Sequence, residues 1–476
     1  MLARPLAVLA ASQLLDLATA QVPPALPWPR TLDLLVVDST FDGIWRLADQ
    51  NQDGDYEDAG EITVYYSDAV GAYVWSSPWA ITTAVDGTVY ASDVGTDAIY
   101  ALRDGNGDGD ANDPGEHRIF FDGTNAAGLP IPQAYGLTVD AIGRVFVAVN
   151  NASSPAGPDR ILKLEDLNAD GDALDANEAT DYYSLPGTTG ALALSIPTKV
   201  VVGPDGNVYY TEAGTGFTKG VWRLVDGNQN GHCNDAGEAS LFWTPPFTAS
   251  PNYWALAVDA SGHFLVADHS NNEQVWRAQD ANQNGTIEPA EQTLFHQSTG
   301  SFWYDVVVRD DGSVLLSDSD TTDKVTALRD LNADGDALDP GETTLAYFAT
   351  TASLSIATRG ATMLRAPLLE LSPPIVPIGQ TTQIVARASK PGDLTVTVMS
   401  IGLGPNFPLA PWGQVEIDVT VFVSVGVGFA DPSGLFTLPF AVPNNPAVIG
   451  TYAFQSLSGD LFRLFLSNAA VMTVTP

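Results

Sequence analysis

Between Asp104 and Glu116 the chain reads DGNGDGDANDPGE, with five carboxylates in thirteen residues and glycines between them. Such a segment repels itself unless something neutralises it. An oxygen-rich cluster with a glycine at its sharpest bend is what a hard cation requires.

The pattern occurs six times in register. Position 1 is Asp49, Asp104, Asp166, Asp226, Asp280 or Asp330, and position 3 is Asn51, Asn106, Asn168, Asn228, Asn282 or Asn332. Position 5 is Asp53, Asp108, Asp170, Asn230, Asn284 or Asp334, followed by Gly at position 6 in every copy. Position 7 is Asp55, Asp110, Asp172, His232, Thr286 or Asp336. Five copies continue with Asp at position 10 (Asp58, Asp113, Asp175, Asp235, Asp339) and Glu at position 13 (Glu61, Glu116, Glu178, Glu238, Glu342). The fifth copy instead closes at position 12 with Glu291. These segments resemble the calcium loops of EF-hands and dockerins, with one residue inserted after position 7 in five of them. The resemblance implies up to six Ca²⁺ ions, held by oxygens at positions 1, 3, 5 and 7 and by a closing acid. Whether position 10 or 13 closes the shell is open at this point. The fourth copy departs furthest, with Asn230 and His232 in its ligand positions. The competing reading is an acidic turn without metal, and six copies in register weigh against it.

EF-hand loops join helices; these do not. Each is preceded by a run such as GIWRL, AIYAL or GVWRL and followed by one such as ITVYYS, HRIFFD or ASLFW. Short β-branched and aromatic runs bounded by turn residues read as strands, so each loop is the tip of a hairpin. Upstream lies a second shared unit, as in WAITTAVDGTVYASD from Trp79 and WALAVDASGHFLVAD from Trp254, which reads as strand, turn, strand. Four strands per repeat is the signature of a propeller blade. Over residues 31–366 the chain resembles six-bladed β-propellers of the NHL and gluconolactonase type. The first unit lacks an inner strand, and the segment at Ser355–Pro367 supplies one, so the ring is expected to close on a blade shared by both ends.

The chain has 476 residues and a formal net charge of −37. Beyond Leu368 only six acids face three bases, so the excess charge belongs to the propeller. Nucleic acid and anionic lipid surfaces are poor partners for that charge. Residues 1–20 read as a secretory signal, with Arg4, an apolar stretch and Ala18-Thr19-Ala20 as a cleavage site, followed by a linker at 21–30. Export to a calcium-rich exterior is the corresponding expectation, with a secreted or cell-surface location and no membrane span. One cysteine, Cys233, precludes an internal disulfide and is expected at a solvent-facing loop position. Residues 367–476 carry little charge, many prolines and short alternating runs, which predicts a C-terminal β-sandwich. This tail resembles the small β-domain that closes exported repeat proteins of planctomycete-type bacteria. The fold class expected is therefore all-β.

A propeller's central mouth is lined where each innermost strand begins. Those residues are Trp79, Tyr135, Lys199, Trp254, Tyr304, Asp305 and Arg359. Aromatic rings beside charged groups can hold a carbohydrate or another polar ring; the competing reading is that the rings pack between blades. The family resemblance implies a channel metal held by Glu, Asn and Asp in lactonases, and a histidine with basic residues in quinoproteins. No counterpart of either set stands at these positions, and the five histidines fall in hairpins. No G-x-S-x-G, H-E-x-x-H or phosphate loop is present. The reading therefore favours a calcium-binding recognition or scaffold module, with an extracellular protein or carbohydrate as partner. A calcium-dependent hydrolase, lactonase or oxidoreductase using Asp305, Lys199 and Arg359 is the alternative.

Overall fold

A computed structural model of the chain describes residues 33–475 apart from 50–52, 85–86, 105–108, 141–142, 152–158, 169, 186–194, 215–217, 248–250, 260, 271–272, 310–311, 320–322, 349–357, 365–368, 373–374, 388–393, 402, 410–412, 418–421, 430–434, 460–463 and 467–469. The signal and linker expected at 1–30 lie outside the described residues, as do Asn51, Asn106 and Asp108.

The chain divides into two compact units, Leu32–Leu364 and the residues from Arg365 onward. Among the described residues of the first, six four-stranded antiparallel sheets follow one another, a propeller topology. Their innermost strands are Pro78–Thr83, Ala134–Val139, Pro197–Val202, Tyr253–Val258, Trp303–Val308 and Thr358–Met363. Each touches the next around the ring. Thr358–Met363 pairs with Leu34–Asp38, Leu35 opposite Thr362, so the last strand completes the sheet that the first strands began. The first and last strands of the ring are thereby hydrogen-bonded to each other, which covers the edge of Leu34–Asp38 at the seam.

The second strands are buried along their whole length, as in Leu34–Asp38, Val145–Val149 and Phe264–Asp268, except that Tyr90 of Val89–Asp93 is partly exposed. Apolar side chains leave both faces of such a strand and enter two different cores. Ile99 and Phe121 of one sheet pack with Val147 and Leu162 of the next, while Phe146 and Ile161 pack with Val208 and Tyr210 beyond them. This explains their near-continuous apolar sequence. Outer strands such as Ile62–Ser67 are exposed or half-buried over their first three residues, next to the hairpin loop, and buried over the last three.

The unit beyond Arg365 contains a three-stranded sheet built on Thr381–Arg387 and a larger one built on Gly450–Gly459 and Leu394–Ser400. Leu369, Val376, Ile384, Phe454, Met472 and Val474 form its core. No helix among the described residues is long and apolar enough to cross a membrane.

Candidate functional site

The hairpin loops share one local construction. The position-1 aspartate accepts the backbone N–H of the position-6 glycine in all six, at 3.1 Å in Asp49–Gly54 and 2.8–2.9 Å in Asp104–Gly109, Asp166–Gly171, Asp226–Gly231, Asp280–Gly285 and Asp330–Gly335. Each of these glycines has φ between 84° and 103°, which a side chain would strain. The chain therefore turns back over its own first carboxylate.

Positions 3, 5 and 10 face one another. Asn168 Nδ2 lies 2.9 Å from Asp170 Oδ2 and 2.8 Å from Asp175 Oδ2; Asn332 bridges Asp334 and Asp339 in the same way, at 2.9 and 2.6 Å. The amide nitrogen sits where it meets two carboxylates. Turned over, the same side chain would present an oxygen to a cation between them.

The closing glutamate does something else. Glu178 accepts the N–H of Leu167 at 2.9 Å and of Asp175 at 3.0 Å, and Glu342 accepts those of Leu331 and Asp339 at 2.8 and 3.0 Å. Glu61, Glu116, Glu178, Glu238 and Glu342 are all buried. Position 13 thus braces the loop backbone from beneath, while Asp175 and Asp339 at position 10 point among the other oxygens. In the fifth loop Glu291 takes the bracing role from position 12, binding the N–H groups of Asn282 and Glu288, and Asn284 reaches Glu288 rather than an aspartate.

Position 8 carries a feature that the ligand pattern does not announce. Its N–H donates to the outer strand of the preceding blade: Ala111 to Tyr65, Ala173 to Phe120, Cys233 to Tyr182, Ile287 to Phe242, Ala337 to Phe295 and, across the seam, Tyr56 to Ala346. Its side chain fills the core between those two blades, as for Tyr56, Ala111, Ala173, Cys233 and Ala337. Basic side chains of the preceding blade add to the clasp. Arg46 Nη1 donates to the Gly109 carbonyl at 2.9 Å and Lys163 Nζ to that of Gly231 at 3.0 Å. Every loop is therefore a staple between neighbouring blades.

This corrects the expected place of Cys233. It is not solvent-facing but fully buried, because position 8 is a core slot. Burial pushes its thiol up to about 11, which leaves it inert at neutral pH.

At the mouth, the pairing of inner and second strands slips at the second or third residue, between Pro78 and Ile81, Tyr253 and Ala255, or Trp303 and Asp305. Such a bulge re-aims the intervening side chain. Trp79, Tyr135, Trp254 and Tyr304 are half-buried and meet one another across the axis, with ring centroids 5.0 Å apart for Trp79–Tyr135, 5.2 Å for Tyr135–Trp254 and 5.4 Å for Trp79–Trp254. They form one cluster over the axis, and Trp79 also packs against the core between its blade and the next. Arg359 lies in it, its guanidinium carbon 4.7 Å from the centre of Trp79 and 4.3 Å from that of Tyr304.

Lys199 and Asp305 stand one residue deeper than the rings. Lys199 Nζ meets Asp305 Oδ2 at 2.6 Å, and Asp305 also accepts the N–H groups of Ala361 and Val306. Both are buried, so they form the floor of the mouth and neutralise each other. The same depth elsewhere requires small residues: a Cβ on Gly136 would lie 2.7 Å from the Thr198 carbonyl.

One mouth residue was not anticipated. The histidines were expected to lie in hairpins away from the mouth, yet the His269 ring is 4.1 Å from Tyr304, edge-on, and 5.8 Å from Trp254. It follows Asp268 at the end of a second strand, and an antiparallel strand ends where its partner began. Burial, aided by the Arg359 charge, pulls its pKa down to about 4, so the imidazole is neutral. Its Nε2 and the Trp254 Nε1 are buried with no hydrogen-bond partner among the described residues.

The fold and these two regions define an all-β propeller. No protein-family model matches the chain, and no curated protein matches it. Among solved structures it is similar to virginiamycin B lyase from Staphylococcus aureus, at 14% identity over 74% of this chain and 87% of that one, with a TM-score of 0.41. The periplasmic gluconolactonase of Pseudomonas aeruginosa gives 14% identity over 69% and 97% of the two chains, with a TM-score of 0.40. A calcium-binding regucalcin from Agrobacterium tumefaciens gives 12% over 65% and 81%, with a TM-score of 0.39. These likenesses concern the fold alone.

Proposed function

We propose that the protein is an exported, six-bladed calcium-binding propeller that presents its mouth to a polar ligand, a carbohydrate being the chemistry that fits best. The observation that supports this reading is the repeated loop: in the third and sixth copies the position-3 amide lies between the position-5 and position-10 carboxylates, above a buried, backbone-bound glutamate. Asp166, Asn168, Asp170, the position-7 residue and Asp175 would hold the ion in the third loop, and their counterparts would do so in the others. Bound calcium would neutralise these carboxylates. Because position 8 bonds the preceding blade, each occupied loop would also hold two blades in register. Titration calorimetry on chelator-stripped protein tests the reading: fewer than three calcium ions bound per chain defeats it.

A second reading, a lactonase-like hydrolase, is favoured by His269. A neutral imidazole beside Tyr304 and Arg359 has the composition of a general base next to groups that stabilise an oxyanion. Lys199 and Asp305 are occupied with each other and would serve it only as a floor. Turnover of aldonolactones that is lost in His269→Ala, while calcium stoichiometry stays unchanged, would establish this reading over a purely binding role.

A further inference from the structure

We infer that the fourth hairpin, Asp226–Glu238, is a site for a nitrogen-preferring transition metal, zinc being the representative ion, within a ring of oxygen loops. The inference rests on reading the hairpins as metal loops, and it separates one of them from the rest.

Three observations carry it. One ring nitrogen of His232 and one oxygen each of Asp235 and Glu238 lie within 4.8 Å of one another, a cluster of a kind that no other loop forms among the described residues. A tetrahedral zinc with bonds of about 2.0–2.1 Å needs its ligands about 3.3 Å apart, a spacing that His232 and Asp235 reach by small rotations because neither is buried. Second, the loop keeps the common scaffold, Gly231 N–H to Asp226 Oδ2 at 2.8 Å and Asp235 N–H to Glu238 Oε2 at 3.2 Å, so its ligands sit on a braced backbone. Third, its side chains offer a nitrogen donor that the other loops lack. Position 5 is the neutral Asn230 where four loops have Asp, and position 7 is an imidazole where the others have Asp55, Asp110, Asp172, Thr286 and Asp336. Calcium takes oxygen ligands and gains little from imidazole, whereas zinc and its neighbours bind imidazole strongly.

Asp235 Oδ2 already accepts Asn228 Nδ2 and Asn230 Nδ2, both at 2.8 Å. Two amides aimed at one carboxylate hold it toward the loop centre. Cys233 is no ligand, since its sulfur belongs to the core between blades.

The test uses the full chain, stripped with chelator and returned to millimolar calcium. Zinc is titrated calorimetrically, and cobalt(II) is titrated in parallel for its visible absorption. The expected result is one equivalent of zinc bound in the presence of calcium, and a cobalt spectrum with nitrogen ligation. In His232→Asp both should be lost, with at least a tenfold weaker zinc affinity, while the calcium count stays the same or rises by one. His263→Gln, on a different hairpin, should change nothing. No zinc uptake at millimolar calcium, or uptake unaffected by His232→Asp, overturns the inference even if the calcium count is high. A low calcium count with zinc binding intact would overturn the calcium reading alone.

Discussion

At the hairpin tips, carboxylates crowd together with amides and backbone N–H groups as their hydrogen-bond partners, and cations such as Arg46 and Lys163 reach them from other blades and bind carbonyls. At the mouth the opposite holds: Lys199 and Asp305 pair directly, and Arg359 lies between the rings of Trp79 and Tyr304. On the proposed reading, an added cation would neutralise the tips. The mouth floor is complete as it stands, and what is open above it is aromatic surface. The stability of the tips should therefore depend on solution conditions, and that of the mouth floor on sequence.

The largest effect should come from removing metal. A ligand that binds only the folded state stabilises it by about 2.7 kcal/mol per site at a hundredfold excess over Kd. Because every loop also bonds the preceding blade, chelation should lower the melting temperature steeply and broaden the transition, as blades lose cooperativity. Scanning calorimetry in chelator and in millimolar calcium measures both. Magnesium, which demands tighter octahedral geometry, should restore far less. Asp330→Ala should remove one ion from the count and also free the Gly335 N–H, leaving the other loops loaded. A melting curve indifferent to chelation would break the comparison at its first term.

Next in size is the floor of the mouth. Lys199→Met would leave the Asp305 carboxylate buried, with two backbone N–H groups but no countercharge, at a cost of about 3–5 kcal/mol. Joining it to Asp305→Leu should recover most of that loss, since a buried pair is often replaceable by apolar residues of similar size. Urea unfolding of the single and double variants in saturating calcium decides it. A double variant as unstable as the single would mean that the pair also orders the inner strands.

The rings above should matter less to folding. A fully buried Trp costs about 3–5 kcal/mol when cut to Ala, but Trp254 is only half-buried, so Trp254→Ala should cost less than about 2 kcal/mol. Binding of oligosaccharides, surveyed on a glycan array, should fall in the same variant. A larger destabilisation with no ligand found would assign these rings to packing.

The repeat made much of this legible. Loop ligands are written at fixed spacing, and the strand runs around them alternate or stay apolar according to how many faces they bury. The seam was readable because a propeller must hide its edges, and the Thr358–Met363 strand had no other partner in the pattern. What failed to appear depends on contacts between repeats. Cys233 reads as a loop residue until the loop is seen to dock on Tyr182. Lys199 and Asp305 belong to different repeats, and only the closed ring brings them within 2.6 Å. His269 was assigned to a hairpin, though the strand direction already placed the residue after Asp268 at the same end as Trp254.

His269 gives the smallest effect and the sharpest test of the mouth's interior. Its native pKa is held near 4, by burial first and by Arg359 second, against an ordinary value of 6.5. Between those limits the unfolded chain binds a proton that the native chain does not, so stability falls as pH drops from about 6.5 toward 4 and is fully present above 6.5. In His269→Asn that part of the slope should vanish. The comparison is best made between pH 5 and 6.5 in saturating calcium, where most carboxylates are still ionised in both proteins. Proton NMR of the ring in the wild type should show no titration until well below pH 5. A ring that titrates near 6.5, or a variant whose stability falls with pH as the wild type's does, would mean that the imidazole is solvated and that the mouth is wetter than its packed rings imply.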